Sequence, residues 1–334
     1  MTPQLSSPDD EIRHVFDQLE RRARAARRRA FDDADLWPSL TDHQTICCEQ
    51  VVRGHDLRRT LVAPIVGDEI GSTTLLYVIA DAYELGVSIT ELVGGSAETG
   101  VELGKLSAMF ALSCSLFDTL QLSHITELLE VVADNRSLVQ RAATELDPDL
   151  KITLKAIAWT LDRLQPLIAA TGGTEGPIAT ALTAALRAEL RARVCDAGSE
   201  WTFVEAARSR FELPFTVLRE AILAATRTSA IETRLDEVFN ALAAICFRTT
   251  DLTEVVSALR GGALNSIAAI AGATPTRTPN AAKVRVIAAR LAKLDVIESA
   301  GHQLWASASR AMQLIATRPR LRAVLASYAR RSIE

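Results

Sequence analysis

Aromatic residues are few, with three Tyr, four Trp and nine Phe in 334 residues. Strand-built folds draw on aromatic and β-branched side chains, and no stretch alternates apolar and polar residues with period two. Cysteine is also sparse. Cys47, Cys48, Cys114, Cys195 and Cys246 show no framework spacing, which argues against a disulfide scaffold and fits a reducing, cytoplasmic setting. Cys114 and Cys246 lie in apolar helical runs and read as buried thiols. No apolar run reaches the roughly 18 uncharged residues needed to span a bilayer, so no transmembrane segment is expected. The charged-then-apolar layout of a secretory signal is missing at the N-terminus, and no 20–50 residue repeat is present.

Several catalytic signatures are missing as well. Gly94-Gly95-Ser96 follows no strand and precedes no Lys-Ser/Thr, so it is not a phosphate loop. No Gly-x-Ser-x-Gly elbow and no Cys/His pair stands out. The five histidines (His14, His43, His55, His124, His302) are scattered. His43, Cys47 and Cys48 have metal-like spacing, but zinc takes four such ligands and no partner pair follows. The net charge of −4 gives no reason to expect nucleic acid as a partner. The run RRARAARRRA at Arg21–Ala30 is of a kind that can touch anionic lipid or nucleic acid, but acidic residues on both sides favour a solvated helix face.

What remains is rich in Leu and Ala, the composition of an all-α protein, long enough to bury a large core. A charged helix and connector over 1–44 precede a helical domain over 45–334. A helix over Thr45–Arg59 is expected to end near Gly54. Long helices are expected over Thr99–Glu130, Leu150–Ala170 and Ile178–Arg193. A kink or break is expected at Pro214 within Trp201–Ala225. Further helices are expected over Lys283–Glu298 and Gln303–Thr317.

The longest apolar helix is Leu235–Gly262, with Phe239, Leu242, Ala243, Cys246 and Phe247 on one face. It carries Asp251 and Glu254 three residues apart, hence on one side. Such a pair is either a solvated helix end or a site for a hard cation such as Mg²⁺. The helix over 99–130 carries Asp118 in its middle. Two acidic helices, with Arg58-Arg59, Arg208 and Arg210 available, suit a Mg²⁺-diphosphate ligand, because arginine forks onto phosphate oxygens. An apolar helical barrel would take its hydrocarbon tail.

The order of elements from about Thr45 to Arg331 resembles the trans-isoprenyl diphosphate synthase family (polyprenyl synthetases), which shares its fold with class I terpene synthases. SLFDTLQL resembles the first aspartate-rich motif, with Asp118 at its first aspartate and Thr119 and Leu122 at the other acidic positions. NALAAICFRTTDLTEVVSALRGG resembles the second, with Asp251 retained and Leu252 replacing an aspartate. RGHDLRRTL resembles the basic diphosphate-binding segment, keeping Arg58. FVEAARSRFELPFTVLREAILAAT resembles the segment holding the family's lysine, near which Arg210 stands.

The resemblance implies a single-domain helical bundle around an apolar cavity. It implies Mg²⁺ on Asp118, Asp251 and Glu254, with Asp118 and Asp251 catalytic. Arg58 and Arg210 would bind diphosphate, and Phe117 and Phe247 would line the prenyl chain. The activity implied is that of a prenyltransferase or class I terpene synthase acting on an allylic prenyl diphosphate. The alternative is a non-catalytic subunit of an active synthase, since some family members are degenerate partners. A homodimer, or a heterodimer with a related synthase, is implied in either case.

Overall fold

The computed structural model describes residues 8–32, 40–67, 72–117, 120–131, 136–194, 200–228, 235–261, 265–272 and 280–333. Among these, every regular element is helical, and the chain is all-α. In order the helices are α1 (Pro8–Ala30), α2 (Leu40–Leu57), α3 (Ala63–Val66), α4 (Thr73–Leu92), α5 (Ala97–Ser115), α6 (Leu122–Val131), α7 (Arg136–Thr144) and α8 (Pro148–Ala170). There follow α9 (Pro177–Val194), α10 (Glu200–Thr226), α11 (Leu235–Gly261), α12 (Ser266–Ile270), α13 (Ala281–Lys293), α14 (Val296–Leu314) and α15 (Pro319–Ile333). A π-helical turn, Arg58–Val62, joins α2 to α3. None of the described helices is long and apolar enough to cross a membrane.

Local sequence sets several of the ends. Asp147 accepts hydrogen bonds from the Asp149 and Leu150 amides, and Pro148 follows at the first helical position, which together start α8. Ser96 accepts from the Thr99 amide and starts α5. α11 is buried on most sides, through Val238, Phe239, Leu242, Ile245, Leu252, Val255 and Leu259. A helix apolar nearly all round belongs in the middle of a bundle, and α11 packs on α1, α10, α12 and α14. α1 is part of the same core, through Phe16, Leu19, Ala23 and Ala26. Its outer face carries the exposed Arg21, Arg24, Arg28 and Arg29.

Glycines are used here for close approach more than for termination. A Cβ on Gly86 of α4 would lie 2.7 Å from the Leu103 carbonyl oxygen of α5, and one on Gly104 would lie 2.8 Å from Val87. Gly301 meets Ala26 of α1 in the same way, at 2.8 Å.

Four expected boundaries are displaced, each for a tertiary reason. α2 runs through Gly54, whose missing side chain admits the Leu76 backbone of α4. The helix expected over 99–130 is two helices, parted after Ser115. There Arg193 of α9 binds the carbonyls of Phe117 and Leu120, and His124 Nδ1 accepts from the Gln121 amide. α10 continues through Pro214. Phe211 and Phe215 on either side pack against Phe247 and Phe239 of α11, at ring separations of 5.8 and 6.1 Å, and this packing offsets the one hydrogen bond that proline removes. The interruption expected between the helices over Lys283–Glu298 and Gln303–Thr317 lies instead at Leu294–Asp295, where Asp295 has φ of 48°.

Candidate functional site

The retained acid of the second motif-like stretch, Asp251, is 5% exposed. Its Oδ1 accepts from the Ser266 amide at 2.9 Å. Its Oδ2 accepts from the Ser266 hydroxyl and from Arg248 Nη1, the latter at 3.3 Å. The Asp251 carbonyl accepts from Asn265 Nδ2 at 2.8 Å, and Asn265 Oδ1 caps α12 by accepting from the Ala268 amide. The carboxylate therefore ties the start of α12 to α11. Burial pushes its pKa above the usual carboxylate range, against the pull of Ser266 and Arg248.

Arg248 lies over the Phe247 ring, 4.5 Å from its centroid. Burial lowers its pKa, Asp251 raises it, and Arg208 nearby lowers it. Phe247 packs on Phe211 of α10. The residue before that, Arg210, grips Glu189 of α9 with both arms, Nε to Oε2 at 2.6 Å and Nη2 to Oε1 at 3.2 Å. Glu189 also accepts from Arg193 Nε at 2.7 Å. Arg193 completes the chain by donating to the Phe117 carbonyl at 2.7 Å and to that of Leu120. Beside this network the Cys114 thiol is pushed up to about 12, first by burial and then by Glu189.

Phe117, Arg210, Phe247 and Asp251 thus belong to one connected network. Asp118 lies outside the described residues, although the carbonyls flanking it are held by Arg193. Arg58 stands elsewhere, at the π-helical turn, in an open cleft of about 450 Å³ with His55, Asp56, Arg59 and Ala63. Glu254 is exposed, while Asp251 points to α12. Their i, i+3 spacing makes them neighbours along the helix without placing them in one site. As a Mg²⁺ ligand set they do not fit: both oxygens of Asp251 are already engaged by Ser266 and Arg248. Among the described residues no group of three or more His, Cys, Asp or Glu could hold a metal ion.

Sequence reasoning passed over Glu189, Arg193, Arg248 and Ser266. The Glu189/Arg193 pair has the i, i+4 helix spacing, and Asn265-Ser266 after the end of α11 has the form of a helix start. Both signals were present in the chain, but neither shows what the residues reach. In chemical terms the network is nearly self-neutral, with Arg193, Arg210 and Arg248 held against Glu189 and Asp251. It latches α9, α10, α11, α12 and the turn after α5 together. Comparison with known protein families, with curated proteins and with solved structures finds no match to this chain.

Proposed function

We propose that the chain is a non-catalytic helical subunit that works by partnering an active prenyl diphosphate synthase. The reading rests on the resemblance of the two motif-like stretches. One observation carries the non-catalytic part of it: Asp251, which a metal-dependent enzyme of that kind would aim at its cation, is buried and tied to Ser266 and Arg248. Arg210, the cation that would meet diphosphate, is forked onto Glu189.

The test is to incubate the purified chain with Mg²⁺ and allylic prenyl diphosphates of increasing length, alone and with an active synthase from the same source. Expected are no product from the chain alone, a complex visible by light scattering, and a changed product length from the pair. A chain that neither binds the synthase nor alters its product overturns the proposal. A second reading, turnover by the chain itself, is favoured by the gathering of Phe211, Phe247, Arg208 and Arg248 at one place, since hydrocarbon and diphosphate need these residue types. Product formation by the chain alone would decide for it.

A further inference from the structure

The charge of this chain is segregated. Residues 280–334 contain ten Lys and Arg against three Asp and Glu, although the whole chain is −4. Much of that excess sits on α13. Its inner stripe, Val284, Ile287 and Leu291, is buried. Its outer stripe is Val286, Arg290, Lys293 and, one residue past the helix, Leu294. Val286 is 52% and Leu294 55% exposed. Val286 precedes Arg290 at i, i+4 spacing and Leu294 follows it at the same spacing, with Lys293 beside Leu294, so aliphatic and cationic groups share one side of the helix.

α13 packs against both α1 and α14. Those two helices form an adjoining cleft of about 230 Å³, where Arg29 and His302 line the same walls as Trp305, which is 45% exposed. Arg28, Arg29, Arg290 and Lys293 have no carboxylate in salt-bridge reach among the described residues. The other α1 arginines differ: Arg22 pairs with Glu298, and Arg24 with Glu20.

We propose that the outer stripe of α13, with the neighbouring rim of Arg29 and Trp305, docks on the surface of an anionic lipid bilayer. Unneutralised cations meet the lipid phosphates. Val286, Leu294 and Trp305 enter the headgroup layer, where aliphatic and indole side chains are stabilised. Nucleic acid would use the cations equally well but offers nothing to exposed aliphatic residues between them. The inference does not depend on the catalytic status of the chain.

The experiment is co-sedimentation of the full chain with vesicles of phosphatidylcholine, with and without phosphatidylglycerol. Binding is expected only to the anionic vesicles, and weaker as salt rises. Arg290→Gln and Lys293→Gln together should lower partitioning about 25-fold, at about fivefold per removed cation. Leu294→Ser should lower it as well, with the salt dependence unchanged. Circular dichroism establishes that the variants stay folded. Equal binding to neutral vesicles, no binding to anionic ones, or variants that bind like the parent would each overturn the proposal. So would tight binding to a duplex oligonucleotide by a chain that ignores vesicles.

Discussion

Replacing Asp251 with Ala should loosen α12 from the bundle. The substitution removes the acceptor of the Ser266 amide, that of the Ser266 hydroxyl, and the carboxylate that pairs with Arg248. Hydrogen bonds to a charged group are each worth about 1.5–3 kcal/mol. Part of that is offset because a carboxylate no longer has to be desolvated. Arg248, 18% exposed at its side chain, keeps its place over Phe247 and some access to water. A net loss of about 2–4 kcal/mol follows. Urea unfolding followed by circular dichroism measures it, and amide exchange should speed up at α12 first. A loss below about 0.5 kcal/mol, the range of ordinary surface substitutions, would refute the anchoring role.

Asp251→Asn separates charge from shape. The folded pKa of Asp251 is raised, so the acid form contributes stability that is fully present below the ordinary carboxylate range. That contribution is lost as pH rises through the folded pKa. Asparagine does not titrate. The gap between parent and Asp251→Asn should therefore narrow with increasing pH. A gap that widens would mean that Arg248, and not burial, dominates at this site.

Three other outcomes are expected. Gly86→Ala should destabilise by about 1–3 kcal/mol, the usual cost of overpacking, because α4 and α5 must part to admit the methyl; a melting temperature equal to the parent's would show that the contact gives way freely. Asp147→Ala should cost about 1 kcal/mol through loss of the α8 cap, read in the same urea titration, and an unchanged midpoint would dismiss the cap. At pH 8, mass-spectrometric mapping with iodoacetamide should find the exposed Cys48 labelled well before Cys114, because only the thiolate reacts and the Cys114 thiol is pushed up by burial; comparable rates would contradict the raised thiol pKa.

Composition and spacing carried the fold class because they depend on short-range periodicity. The 3.6-residue repeat of Leu, Ala and Val gives α8, α9 and α11 almost to the residue. The same reasoning joined α5 to α6, because the residue that parts them, Arg193, lies about 75 positions downstream. It also takes Gly54 as an end, when Gly54 is a notch for the Leu76 backbone of α4, which sequence alone does not place. At the candidate site, Phe247 and Asp251 are legible as residue types on the apolar helix α11, and Arg210 as a cation on α10. Their partners are not. Helical spacing gives the side a carboxylate faces within a turn, and Asp251 and Glu254, one turn apart, face a buried serine and solvent.

The seating of α1 against α14 has a consequence for synthesis of the chain. Arg22 and its partner Glu298 stand 276 positions apart. At about 5–20 residues per second, α1 leaves the ribosome about 14–55 s before the helix that covers it exists. Until α11, and after it α13 and α14, are made, Phe16, Leu19, Ala23 and Ala26 lack their native cover. The exposed Arg21, Arg24, Arg28 and Arg29 on the opposite face make the segment amphipathic from the moment it is synthesised.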